Sequence, residues 1–490
     1  MTNLGRKNDK LAGIIILVCA AIAVRWPFME FTVDDAYITL RYADNLVNGL
    51  GFVYNPGERV LGTTTPLFTL ILAAIGLMLK NPLPAGKIMT VLCDALVAGI
   101  VLQMTFRWTG KRWIGYWAGI LYALNPVSIK WAALGMETGL YTFLICLSLR
   151  EYMEERFRTS YVLAGLALLT RIDGVLVFAV LLGADLIRRR RQAIADCLVG
   201  AFPVVVWACF ALVYFGSPIP QSALAKSVTY GGRPLLGQLE LIFDKFLWRY
   251  GLITAMAVIP AIAGAIYGIR RHRSFKIVMA WCFLYWSFYI LSGSNLHGWY
   301  MAPPIWVYVL SIGLGLYVLT NVVSGWHLSY FTARRMRVIT SSVMVIAIGL
   351  VSAYLVRHRY VEVRETIGTN ERAVAIPIGL WLKEYADPTD TVCLESIGAV
   401  GYYSGLYILD EVGLVSPQVI PLNQINRRGP NFAGIVRTFS PKYYVWWETW
   451  EQEWWRDRPD QLVWLNRNYQ KVRVFARRGS DYSWGIWQRR

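Results

Sequence analysis

Apolar positions in this chain come in long uninterrupted blocks separated by short basic clusters. Helices that cross a bilayer need about 17–25 mostly apolar residues. Runs of that kind, some of them short, fall at 11–28, 88–105, 113–125, 139–150, 161–170, 174–187, 194–215, 251–268, 277–291, 301–319 and 338–356. One further run, Leu67 to Leu79, is about 13 residues long, which suits an interfacial or re-entrant helix rather than a span. Treating it as a juxtamembrane helix makes the remaining spans pair between the basic clusters. The pattern predicts a polytopic α-helical membrane protein of about eleven transmembrane helices over residues 1–356.

From Arg357 the pattern changes. An amphipathic helix is predicted near Glu371 to Tyr385, then strands at Thr391-Val392-Cys393-Leu394 and Tyr443-Tyr444-Val445-Trp446, so residues 357–490 read as a soluble α/β domain. No internal repeat is evident.

Composition supports this division. The chain is 56% hydrophobic with a mean hydropathy of +0.41, far above ordinary globular proteins. Its net charge of +18 could point to nucleic acid, but its distribution argues otherwise. The tail is nearly balanced, and the excess sits in clusters such as Arg107/Lys111/Arg112, Arg188 to Arg191, Arg270/Arg271/Arg273 and Arg334/Arg335/Arg337. That is the positive-inside pattern. It places the N-terminus inside and the tail outside, in the cell membrane. The basic start and first apolar run lack a convincing cleavage site, so they are expected to form a retained helix and not a signal peptide. Six cysteines lie in apolar runs and Cys393 is alone in the tail, so no disulfide is expected there. The four histidines lack metal-ligand spacing, although a divalent metal ion at an acidic loop is left open.

With this topology the chemically distinctive residues converge on the outer face. Thr32-Val33-Asp34-Asp35 has the capping-box signature, with Thr32 as N-cap and Asp35 as its reciprocal carboxylate. Asp34 is then left over, on the same stripe as Tyr37 and Arg41. Two carboxylates and an arginine beside hydrocarbon are costly unless they serve a polar site. Asn55-Pro56-Gly57 marks a turn, either ordered under another segment or touching a ligand. Glu137 opens a span, where the helix dipole favours an acid. Arg171 and Asp173 interrupt an apolar stretch and can pair with one another. Lys226 and His297 sit in outer loops, as anion ligands or interface markers.

Asp34-Asp35-Ala36-Tyr37, Arg41-Tyr42, Asn55-Pro56-Gly57-Glu58-Arg59-Val60 and Thr65-Pro66-Leu67 resemble the first outer loop of GT-C glycosyltransferases, most of all the mycobacterial-type terminal arabinofuranosyltransferases. Gly135-Met136-Glu137-Thr138, Thr170 to Gly174, Ser222 to Lys226 and Gly401-Tyr402-Tyr403-Ser404-Gly405 extend the resemblance over most of the chain. Where such families carry an arginine near Ser292–Pro303, this sequence has Trp299-Tyr300. The resemblance implies transfer of a sugar from a polyprenyl-phosphate carrier to an extracytoplasmic glycan, with the first-loop aspartate as base. The candidate catalytic residues are then Asp34, Asp35 and Glu137. Candidates for donor phosphate and substrate are Arg41, Tyr37, Arg171, Lys226 and His297.

Three rivals remain at this stage. A transporter or flippase of lipid-linked sugars would place its charges near the midplane on broken, repeated helices, which the sequence does not suggest. Trp446-Trp447-Glu448-Thr449-Trp450 resembles the Trp-Trp-Asp motif of oligosaccharyltransferases, with a buried aromatic strand end as the plainer reading. An envelope scaffold would leave the paired aspartates without a purpose.

Overall fold

The computed structural model describes residues 3–186, 188–231, 234–243, 251–293, 296–324, 347, 350–425, 430–448 and 459–490. Most of the run at 338–356, the Arg334/Arg335/Arg337 cluster, Thr449 and Trp450 lie outside them. The chain divides into two compact units, one of residues 1–30, 87–205 and 234–361 and the other of 31–86, 206–233 and 362–490.

The first unit is helical. Among the described residues five helices are long and apolar enough to cross a membrane, and Pro126–Ala133 with Thr138–Met153 would form a sixth span bent by 119°. The helices follow the apolar blocks closely: Leu83–Thr109, Arg191–Phe215 and Arg273–Leu291 each cover an expected run, and Ile305–Ser324 takes in most of the run at 301–319. Pro66–Gly76, which belongs to the second unit, is only 11 residues long. That agrees with the short apolar run from which it was expected.

A lone acid within an apolar helix needs partners, and Asp94 has several. Its carboxylate takes Arg25 at 2.6 Å, the Tyr122 hydroxyl at 2.6 Å and the Ser128 hydroxyl at 2.6 Å. Arg25 spends its other donors on Ala21 O and Ala123 O, each at 2.9 Å, and on Ser128 at 3.0 Å. The network is fully buried and closed on itself.

The second unit is built around a mixed five-stranded sheet, ordered β2-β1-β3-β5-β4. Its strands are β1 (Thr391–Leu394), β2 (Tyr407–Asp410), β3 (Tyr443–Trp447), β4 (Tyr469–Ala476) and β5 (Ser483–Arg489). β1 pairs parallel with β2 and β3, while β5 runs antiparallel to β3 and β4. The helix Ile397–Ser404 makes the crossover from β1 to β2. β1 and β3 lie where β-branched and aromatic runs predict them. Trp446 is buried at the end of β3, with its ring 4.4 Å from Phe432, which is the plainer reading of the tryptophan motif. Cys393 is buried and unpaired.

The first loop is part of this sheet's core. Tyr37, Leu40, Tyr42, Phe52 and Tyr54 share one buried cluster with Ile378, Val392, Val400 and Ile408. Asn55 bonds both backbone groups of Ile408, at 2.9 and 3.0 Å. The turn at Asn55-Pro56-Gly57 is therefore an ordered loop docked against β2.

Candidate functional site

The helix carrying the paired aspartates begins at Asp34 and runs to Val47, with Val33 at the N-cap and no side-chain cap. The capping box expected from Thr32 and Asp35 does not form. The Asp34 carboxylate is used elsewhere: Oδ2 accepts from Gly398 N at 2.9 Å and Oδ1 from Ala399 N at 2.7 Å. These are the first free amides of the Ile397–Ser404 helix, where a negative charge is favoured. Gly398 permits the approach, because a Cβ there would come within 1.9 Å of Asp34 O.

Each carboxylate oxygen has two lone-pair directions, so one amide per oxygen leaves capacity for a hydroxyl. Desolvation, with Asp35 as a lesser contributor, outweighs the two amides and pushes Asp34 up to about 6. The ordinary value near 3.9 does not apply. Asp35 is half-buried, and no hydrogen bond to its carboxylate is found among the described residues.

Tyr37 is buried, its ring 5.6 Å from both Tyr402 and Tyr403, and burial raises its phenol far above the usual range. Arg41 does not fit a role as a phosphate ligand. Its Nε donates to Tyr54 O at 2.9 Å, and its Nη1 and Nη2 to Gly401 O and Leu406 O at 2.7 Å. With the guanidinium 4.2 Å over the Tyr54 ring, Arg41 braces the first loop against the tail. Lys226, half-buried on the helix Gln221–Tyr230, also belongs to this unit.

The helical unit holds the other candidates. Arg171 lies in extended backbone between the helices Phe157–Thr170 and Val175–Leu186. Its Nε and Nη2 form a fork on Asp173, each bond 3.1 Å, and Tyr289 bonds the same carboxylate at 2.7 Å. The Tyr141 and Tyr300 rings flank the guanidinium, both at 4.9 Å. Glu137, the N-cap residue of Thr138–Met153, accepts from Tyr141 N at 2.9 Å through its carbonyl but makes no side-chain cap, and its carboxylate stands 3.6 Å from Arg171 Nη1. Nη1 is buried and makes no hydrogen bond. His297 stacks on Trp299 at 4.4 Å, in the loop where Tyr300 supplies one face of Arg171.

Sequence reasoning passed over Glu371, a half-buried acid whose nearest charges are Asp34 and Asp35. An acid opening an amphipathic helix looks like an ordinary first-turn carboxylate, which concealed it. Among the described residues no group of three His, Cys, Asp or Glu is spaced to hold a metal ion.

Residues 361–487 match the model of a family described as a domain of unknown function (DUF8728). A terminal β-(1→2)-arabinofuranosyltransferase of Mycobacterium tuberculosis is 31% identical over 265 residues, which is 49% of this chain and 42% of that protein. The matched region thus spans less than half the length of the curated relative. ArnT from Cupriavidus metallidurans in the apo state superposes with a TM-score of 0.66 at 13% identity, covering 96% of this chain and 97% of that one. The same enzyme bound to undecaprenyl phosphate gives 0.58 at 13% identity, covering 99% and 98%. The chain therefore has the fold of ArnT, together with a partial sequence resemblance to a terminal arabinofuranosyltransferase.

Proposed function

We propose that this protein is a membrane glycosyltransferase that moves a sugar, arabinofuranose on the strength of its relative, from a polyprenyl-phosphate carrier to an extracytoplasmic glycan. The observation that carries the reading is Asp34: a carboxylate oriented by two amides and raised to about 6. A general base works best with a pKa near the operating pH. At neutral pH Asp34 is mostly ionised and is a stronger base than a solvated aspartate.

In the proposed step an acceptor hydroxyl attacks the anomeric carbon of the donor. The new glycosidic C–O bond forms as the bond to phosphate oxygen breaks, and the polyprenyl phosphate leaves with that electron pair. Asp34 takes the hydroxyl proton and later releases it to water. A single base on the acceptor side and a good leaving group need no covalent intermediate, so the anomeric centre inverts. Arg171 is assigned to the carrier phosphate. Asp173 and Tyr289 hold it while Nη1 keeps donor capacity, and Glu137 helps to orient it. Lys226 is a separate candidate anion ligand within the sheet unit. Undecaprenyl phosphate bound to ArnT supports a polyprenyl carrier. His297 and Trp299 are assigned to the donor-side surface.

The test is transfer by the full chain in lipid nanodiscs, with polyprenyl-phosphoryl arabinofuranose as donor and a synthetic arabinofuranose oligosaccharide as acceptor. The expected products are the extended oligosaccharide with inverted anomeric configuration and free polyprenyl phosphate. Carrier crossing the bilayer with its sugar still attached would point to a flippase instead.

A further inference from the structure

Between the helical unit and β1 the backbone leaves α geometry twice, in π-helical turns at Arg364–Gly368 and Glu371–Ala375. Such turns are rare and concentrate at functional sites. The second one opens on Glu371. Contacts with Phe31, three residues before Asp34, hold the segment in place. A Cβ on Gly368 would lie 2.3 Å from the Phe31 ring, so a side chain there would push the segment away. The Arg372 guanidinium sits 5.7 Å over the same ring.

Glu371 Oε2 is buried and has no hydrogen-bond partner. Leaving such an atom unpaired is costly, a cost that a ligand donor would remove. Burial and the nearby charges of Asp34 and Asp35 push Glu371 well above the usual carboxylate range. Tyr37 and Tyr482 also feel its charge. The remaining charged groups on adjoining elements are otherwise engaged or exposed. Lys471 on β4 bonds Glu448 at 2.7 Å, Arg473 lies over Phe475, Arg364 and Glu365 pair on the surface, and Lys383 and Glu384 are exposed. Tyr482, which feels the charges of Glu371 and Asp34, opens a row of aromatic rings: it packs 5.4 Å from Trp447, which stacks on Trp484 at 5.4 Å.

We infer that Glu371 binds the acceptor sugar, bonding through Oε2 a hydroxyl next to the one that Asp34 activates, with the Tyr482 and Trp447 rings beside the sugar's C–H face. The inference rests on the transfer reading of the Asp34 site and names its acceptor as a vicinal diol. An anionic ligand would be repelled by Asp34 and Asp35. A metal ion lacks a suitable set of three ligands among the described residues. An acyl chain would leave the carboxyl oxygen unpaired. A neutral polyol supplies both donors and acceptors. The free Oε2 of Glu371 can accept a hydrogen bond from a hydroxyl, while ionised Asp34 accepts the reactive proton.

The test uses the full chain in nanodiscs, polyprenyl-phosphoryl arabinofuranose as donor, and an arabinofuranose oligosaccharide or its analogue lacking the neighbouring hydroxyl as acceptor. Glu371→Ala should raise the acceptor KM about tenfold, the size of one hydrogen bond to a buried carboxylate oxygen, without changing the donor KM. Glu371→Gln, which keeps an acceptor oxygen, should recover most of that KM. The deoxy acceptor should suffer the same penalty with the wild type and no further one with Glu371→Ala. An unchanged acceptor KM in Glu371→Ala, or an equal deoxy penalty in both proteins, overturns the inference. If the wild type transfers no sugar the function reading fails by itself, and saturation-transfer NMR with the oligosaccharide decides the inference. Binding lost in Glu371→Ala supports it, and absence of binding to the wild type refutes it.

Discussion

Arg25 and Arg171 are both buried in the helical unit beside an aspartate, and they differ in what is left over. Arg25 bonds Asp94, Ser128 and two backbone carbonyls, so every N–H has a partner. Arg171 is held as firmly by Asp173 and Tyr289, yet its Nη1 has no hydrogen bond. A related contrast recurs in the sheet unit, where each nitrogen of Arg41 bonds a carbonyl while Glu371 keeps a bare oxygen. A buried charge by itself does not mark a site. Arg171 and Glu371 are singled out because their unused atoms stand beside the candidate residues Glu137 and Asp34.

The largest effect is expected where nothing is left over. Arg25→Ala strands Asp94 in the interior, and breaking such a pair costs about 3–5 kcal/mol. Thermal unfolding of the purified protein should show a large fall, partly restored by joining Arg25→Met to Asp94→Leu. An Arg25→Ala protein of wild-type stability would remove the closed network from the comparison.

Arg41→Lys comes next, because a lysine cannot span three carbonyls. Each bond from a charged donor is worth about 1.5–3 kcal/mol, so stability should drop while the donor KM of the folded fraction stays the same. A changed donor KM at wild-type stability would make Arg41 a ligand after all.

Arg171→Lys keeps the charge and loses the fork together with its spare donor. Undecaprenyl phosphate binding, titrated in nanodiscs, should weaken about tenfold, with a smaller stability loss than in Arg25→Ala. Unaltered affinity would place the carrier phosphate elsewhere.

The pH dependence is the finest distinction. Asp34 must be ionised to act, so the transfer rate should fall as pH drops through about 6. Its effect on stability has the opposite sign. The folded pKa is raised above the unfolded one, so the contribution of Asp34 to stability is full below the ordinary aspartate range and lost as pH rises through about 6. Activity and stability measured across this window should therefore move in opposite directions in the wild type.

Apolar blocks made the helices legible, and β-branched or aromatic runs exposed β1 and β3. Strand β4 was missed although Lys471-Val472-Arg473-Val474 alternates with period two, because its charges resemble a solvated surface. β2, Tyr407-Ile408-Leu409-Asp410, ends on an acid and has a single β-branched residue, so its strand signal is weak. At the site, residue type was legible and partnership was not. Asp34 reaches amides 364 and 365 residues away, and Arg41 a carbonyl 360 away. Local signals instead suggested a capping box at Thr32 and a free cation at Arg41, since both alternatives require knowing where the tail folds. Asp94 did carry a signal, as an acid within an apolar run, but only its partners reveal that it closes a network.

The central claim is that Asp34 is the base, and Asp34→Asn tests it most directly. Asparagine keeps the shape and a carbonyl oxygen for one of the two amides but cannot accept a proton. Turnover of polyprenyl-phosphoryl arabinofuranose should fall by about 10²–10⁴-fold while undecaprenyl phosphate binding and the folded state persist. Turnover near the wild-type rate in a folded Asp34→Asn protein would contradict the account and turn attention to Asp35.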